Sequence, residues 1–249
     1  MQPLELMQSE HDNPLVATER EEMTDFVVSA TLPVSRAQRS TMQDHVYRQL
    51  CDLILNGEIA PGQSITIQTL ADAFGVSAMP VREALQRLTA ARVLTVVSGR
   101  TIGIPHLTKA HLADLRRVRL EVEALAGLWA TPNVDAHHLL RLDGLIGQMD
   151  EAARAGDRKQ YVRLNRSFHF TIYGAAYSDA LLAIIENLWL QISPYFHLLH
   201  ASGNYLKANE QHRRICDALR SRDPAEVGAG LRADIEAAYE VLVALLDAS

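Results

Sequence analysis

Residues 65–88, ITIQTLADAFGVSAMPVREALQRL, constrain this chain more tightly than any other stretch. Leu70, Ala71 and Phe74 recur at helical spacing, so a short first helix carries one apolar face. Gly75 ends it, because the residue after a helix often turns left-handed and glycine does so without a Cβ penalty. Ser77 is placed to cap a second helix, and Pro80 falls in its first turn, where a missing N–H costs little. That helix turns Val81, Ala84, Leu85 and Leu88 inward and Arg82, Gln86 and Arg87 outward. Two short helices about a tight turn, the second displaying Arg and Gln, have the form that enters a DNA major groove. Around them, residues 41–56 place Val46, Leu50, Leu53 and Ile54 on one helical face. Val93 to Ile104, β-branched around Ser98-Gly99-Arg100, predicts a two-stranded hairpin, the wing of a winged helix.

A net charge of −6 sits awkwardly with nucleic acid until it is divided along the chain. Residues 1–35 hold one Arg and seven acids, a net of −6; residues 36–104 hold seven Arg and five acids, a net of +2. The acidity therefore lies in the leader, and the DNA-reading module is mildly basic. So small an excess implies modest non-specific affinity and a need for dimerisation. Cys51 and Cys216 are far apart on helical patterns and read as buried thiols, as in a reducing compartment. There is no apolar run long enough for a membrane span and no signal-peptide order at the N-terminus, so the expected location is cytoplasmic.

From residue 107 onward the pattern is almost wholly helical. Helices are expected near 109–130, 135–155, 158–175, 179–199, 207–222 and 224–247, separated by breaks such as TPNV at 131–134 and Asp223-Pro224. The expected fold is mainly α: an N-terminal winged helix-turn-helix followed by an all-α antiparallel helical bundle. Its divisions are an acidic flexible leader at 1–35, the winged domain at 36–105, and a helical effector-binding and dimerisation domain at 106–249.

Gly57-x-Ile59-x-Pro61-Gly62, Leu70-Ala71 and Gly75-Val76-Ser77-x-x-Pro80-Val81-Arg82-Glu83-Ala84-Leu85-x-x-Leu88 together resemble the GntR family of bacterial transcription regulators. The second half resembles the FCD effector domain of that family's fatty-acid-regulator (FadR) branch, in its shorter six-helix, VanR-like form. The residues that carry this are Val118-Arg119 with Glu123, Phe168-His169, and His212-x-x-Ile215 with Ala218-Leu219. The resemblance implies a homodimeric, ligand-responsive regulator, a repressor, that binds double-stranded operator DNA and is not an enzyme. Gln68, Ser77, Arg82, Gln86 and the wing residue Arg100 are the expected DNA contacts. Ala78 stands where the family usually has Arg, which removes a potential guanine contact worth roughly 1–3 kcal/mol of discrimination.

Asn165 and His169 are four residues apart and share a helix face. The resemblance implies a divalent metal held by an Asp and three His; in that register Asn165, His169, His212 and Asp234 occupy the four positions. Two imidazoles and a carboxylate suffice for zinc, nickel or manganese, and no organic cofactor is implied. Arg119, Asn165, His169 and His212 are the expected effector-binding residues, and a guanidinium beside a metal suits a small organic acid. Arg163, Tyr195 and His197 are weaker candidates. The alternatives are a metal-free pocket, a direct metal sensor, and a metal-dependent hydrolase, against which stands the lack of HExxH or a comparable general base.

Overall fold

The computed structural model describes residues 42–98, 101–202 and 204–248. The expected leader, the opening residues of the winged domain, and Arg100 at the hairpin tip lie outside the described residues.

The DNA-reading half begins with helix α1 (Met42–Leu55), which buries Val46, Leu50 and Ile54 against α3 (Ala78–Ala90). Between them lies α2 (Ile67–Phe74), closed by Gly75 at φ 64°, the left-handed turn the sequence calls for. Ile65 departs from expectation. It belongs to a short strand, β1 (Ser64–Thr66), and α2 starts two residues later, where Thr66 accepts a hydrogen bond from the Thr69 N–H. Strands β2 (Thr95–Ser98) and β3 (Thr101–Gly103) form the expected hairpin, and β1 pairs antiparallel with β3 on its other edge. A three-residue strand with one apolar side chain leaves no periodic signal to read.

The helical half comprises α4 (Lys109–Ala130), α5 (Ala136–Ala155), α6 (Arg158–Gly174), α7 (Asp179–Ile192), α8 (Asn204–Arg220) and α9 (Pro224–Asp247). Thr108, Asp135, Asp157, Ser178 and Asp223 each accept a backbone N–H at a helix start, a cap worth typically about 1 kcal/mol. The helix expected to run from 179 to 199 is shorter than that. It stops at Ile192 and tightens into a 3₁₀ segment, Ser193–Ser202, because Pro194 has no N–H to continue the α ladder. Helices α4 and α9 lie close together, and a Cβ at Gly127 would overlap Leu231.

The described residues of the two halves form one compact unit. Helix α1 meets α6 through Arg166, which reaches Asp52 at 3.0 Å and Asn56 at 3.3 Å, and Lys159 reaches Glu58 at 2.6 Å. Tyr195, in the 3₁₀ segment, donates its hydroxyl to the carbonyl of Pro105 between the halves. Both cysteines are free; Cys216 is buried as expected, while Cys51 is only partly so. No helix among the described residues is long and apolar enough to cross a membrane.

Candidate functional site

Two regions carry the chemistry, one exposed and one buried. On α3 the apolar face packs inward through Val81, Ala84, Leu85 and Leu88. The opposite face exposes Arg82 and Gln86 one turn apart, and Met79 joins them at the i, i+3, i+7 spacing of a single stripe. Ser77 sits at the N-cap position but makes no side-chain cap bond. The third helical residue is Pro80, so the N–H that a capping serine commonly engages does not exist, and the Ser77 hydroxyl stays exposed. Gln68 is exposed on the first turn of α2, and its amide donates to Asp72 at 2.8 Å. Arg87 is exposed as expected, but its guanidinium lies 3.7 Å from the Tyr47 ring centre and pairs with Asp44 at 3.1 Å. It ties α3 to α1 instead of joining the outward stripe.

In the helical half, α6, α8 and α9 bring His169, His212 and Asp234 together, with one ligand atom of each within 4.8 Å of the others. His169 Nε2 lies 3.3 Å from one carboxylate oxygen of Asp234, and His212 Nε2 lies 3.6 Å from the other. The residues behind them decide what those nitrogens carry. Tyr173 donates its hydroxyl to Glu123, so its oxygen is left to accept from His169 Nδ1 at 3.1 Å. Asn209 donates its amide to Asp150, so its carbonyl oxygen accepts from Tyr161 and from His212 Nδ1 at 3.2 Å. Both imidazoles thereby have Nδ1 as the donor, a tautomer assigned from the network, and both Nε2 atoms face the carboxylate.

Burial pushes the His212 imidazole down to about 4, against the pull of Asp234, so it is neutral at pH 7. Its Nε2 is a buried lone pair with no hydrogen-bond partner among the described residues. Burial alone would raise the Asp234 carboxyl, but the His169 hydrogen bond, the neighbouring imidazoles and the Arg119 guanidinium outweigh it and hold the group below its usual value. Burial, then Glu123, raises the Tyr173 phenol and keeps it a donor. Arg119 is buried, yet Glu123 at 2.5 Å more than offsets the burial and its guanidinium stays charged. An unprotonated Nε2 facing a carboxylate is electrostatically unfavourable unless a cation lies between them. The donor set therefore fits a divalent metal, which would take the Nε2 lone pairs and the Asp234 carboxylate as its ligands.

A cavity of about 100 Å³ adjoins this cluster, lined by Arg119, Asn165, His169, Trp189, Phe196 and Asp234 among others. By a like measure one water needs roughly 10–15 Å³, so the space suits a small acid. The structure thus brings together Arg119, Asn165, His169 and Asp234 at the wall, while His212, expected to meet the effector, lies against Asp234 and is not a lining residue. Arg163 is excluded, since it lines a different cleft, and Tyr195 is spent on Pro105. The side chain of His197 lies outside the described residues. Sequence reasoning missed Tyr173, Asn209 and Trp189. Tyr173 follows His169 by four residues and Asn209 precedes His212 by three, so helical spacing could have found both. Trp189 carries the other buried polar atom without a partner among the described residues, its indole N–H.

Residues 42–104 match the bacterial regulatory proteins of the gntR family, and residues 114–237 match the FCD domain. The HTH-type transcriptional regulator McbR of Escherichia coli (strain K12) is 31% identical over 170 residues, covering 67% of this chain and 77% of that protein. The probable D-xylose utilization operon transcriptional repressor of Paenarthrobacter nicotinovorans is 27% identical over 189 residues, 76% of this chain and 83% of that one. Among solved structures, E. coli McbR/YncC superposes with a TM-score of 0.77 at 26% identity, covering 84% of this chain and all of the other. A putative GntR regulator from Rhodococcus sp. RHA1 shares the fold at TM-score 0.68 and 22% identity.

Proposed function

The chain belongs to the GntR family of transcription regulators, with an FCD domain after its winged helix, and from that premise we propose that it is an operator-binding repressor controlled by a small carboxylic acid in the helical domain. Met79, Arg82 and Gln86 read the major groove from α3, with Ser77 against a phosphate at the helix N-terminus and Gln68 flanking it. His169, His212 and Asp234 hold a divalent metal, zinc, nickel or manganese, with Asn165 as a further oxygen donor at the cavity wall. A metal held there would supply a Lewis-acidic anchor for the carboxylate of the effector. Arg119 and the Trp189 indole N–H supply the remaining positive charge and hydrogen-bond donation around it. The observation that carries this reading is the convergence of His169, His212 and Asp234 in the interior, where the buried His212 Nε2 lies 3.6 Å from Asp234 and has no hydrogen-bond partner among the described residues. The space beside the cluster favours an organic effector over a sensor of metal alone.

The active species is a homodimer, which sets two α3 helices on the half-sites of a palindrome. Val118, Leu125 and Trp129 support it: they follow one stripe of α4 at i, i+7 and i+11 and are 38%, 38% and 42% exposed. Two measurements test the reading. Elemental analysis after metal-supplemented purification is expected to return one metal per chain, lost in His212→Ala; no stoichiometric metal would overturn the metal site. Fluorescence anisotropy with DNA from upstream of its own gene is expected to show salt-sensitive binding that a small acid weakens. Binding that only metal alters would favour the direct sensor.

A further inference from the structure

A second cleft, of about 580 Å³, opens between the start of α5, the outer face of α6 and Asn56 at the end of α1. That volume lies within the roughly 300–1,000 Å³ of small-molecule sites. Arg141, Arg163 and Arg166 line it together with His137 and His138, and no Asp or Glu is among its lining residues. Carboxylates just outside the lining meet part of this charge, Asp135 at 2.6 Å from His138 Nδ1 among them. The three guanidiniums differ in how firmly they are held. Arg166 is engaged by Asp52 and Asn56. Among the described residues, the Arg163 guanidinium has a 3.4 Å bond to the Lys159 carbonyl and a 3.9 Å approach to Glu58. Arg141 makes no hydrogen bond or ion pair among the described residues. Two aromatic faces complete the cleft: Phe170 beneath the Arg166 guanidinium, and Tyr177, 75% exposed and held at φ 49°.

We propose that this cleft binds a small phosphate-bearing molecule, with Arg141 and Arg163 as its principal ligands and Phe170 and Tyr177 against its flat part. Guanidinium forks match phosphate oxygens in pairs, and a multiply charged anion offsets the mutual repulsion of the cations. The DNA backbone is the natural rival occupant, and the geometry argues against it. The N-terminal end of α1, Met42 and Gln43, lies beside Ser77 and Pro80 at the start of the reading helix. Asn56 is 13 residues further along from Gln43, about 20 Å at 1.5 Å per residue. A duplex read by α3 therefore meets the other end of α1. The proposal does not rest on the metal or on the effector cavity.

The test is calorimetric titration of the full chain with inorganic pyrophosphate at fixed ionic strength. Saturable binding at one site per chain is expected, weakened by at least about tenfold in the double variant R141A/R163A, since each charge-assisted contact is worth on the order of a tenfold factor. Arg154→Ala, an exposed arginine of α5 outside the cleft, should leave that affinity unchanged. If the double variant does not fold by circular dichroism, Arg141→Gln alone reads the same loss. No saturable binding, or equal affinity in the variants, would overturn the proposal; equal affinity would place the anion elsewhere, such as on the metal. Loss of non-specific duplex binding in the double variant, with no pyrophosphate binding to the wild type, would assign the cleft to DNA and overturn it as well.

Discussion

On α3, Arg82 and Gln86 extend into solvent with no hydrogen bond among the described residues. In the helical half, Glu123 is wholly buried yet meets both Arg119 and Tyr173. The reading face is thus a set of independent side chains, each of which can change without disturbing the fold. The interior is a chain of dependence, Arg119 to Glu123 to Tyr173 to His169 to Asp234, in which removing one member leaves the next buried and unpaired.

The largest effect is expected from Glu123→Ala. It leaves the Arg119 guanidinium buried without its carboxylate and is expected to cost about 3–5 kcal/mol, read from urea unfolding. A loss below about 1 kcal/mol would show that the interior tolerates change as the surface does. Next comes Tyr173→Phe, which removes the acceptor for His169 Nδ1 while keeping the ring. Zinc affinity by competition titration should fall by about 10–100-fold with little change in secondary structure. Arg82→Ala should weaken operator binding by about 1–3 kcal/mol in anisotropy and leave the unfolding midpoint in place. A shifted midpoint would mean that the reading face is coupled to the core after all. The smallest effect is expected from Lys159→Ala, whose exposed pair with Glu58 bridges the two halves. It should cost less than about 1 kcal/mol, and the difference should shrink as salt is raised.

What the sequence disclosed follows from the range over which each signal acts. The helix-turn-helix was legible because Leu70, Ala71, Gly75, Val81 and Leu85 each report their own backbone or burial within a few residues. The breaks at 131–134 and at Asp223-Pro224 were legible for the same reason. Strand β1 was not, since it exists only because β3, some 37 positions later, offers it an edge. Arg87 and Arg82 are both polar residues on one short helix. Only the position of Tyr47 and Asp44 on α1 separates the structural arginine from the one left to solvent. At the interior site the residue types His169, His212 and Asp234 were visible through family register. The protonation logic was not, because it depends on Tyr173 and Asn209 being donors elsewhere, and no linear spacing encodes that.

The proline that ends α7 has a further consequence for the distance a signal must cover. Beyond Pro194, Phe196 forms part of the cavity wall, while its immediate neighbour Tyr195 holds the carbonyl of Pro105 at the junction of the two halves. Wall and tether are consecutive residues joined by one rigid peptide plane. An occupant that displaces Phe196 therefore acts on the junction through a lever one residue long. Hydrogen exchange at Leu107 and Thr108, just past the tethered carbonyl, is where occupancy of the cavity should register before it reaches α3.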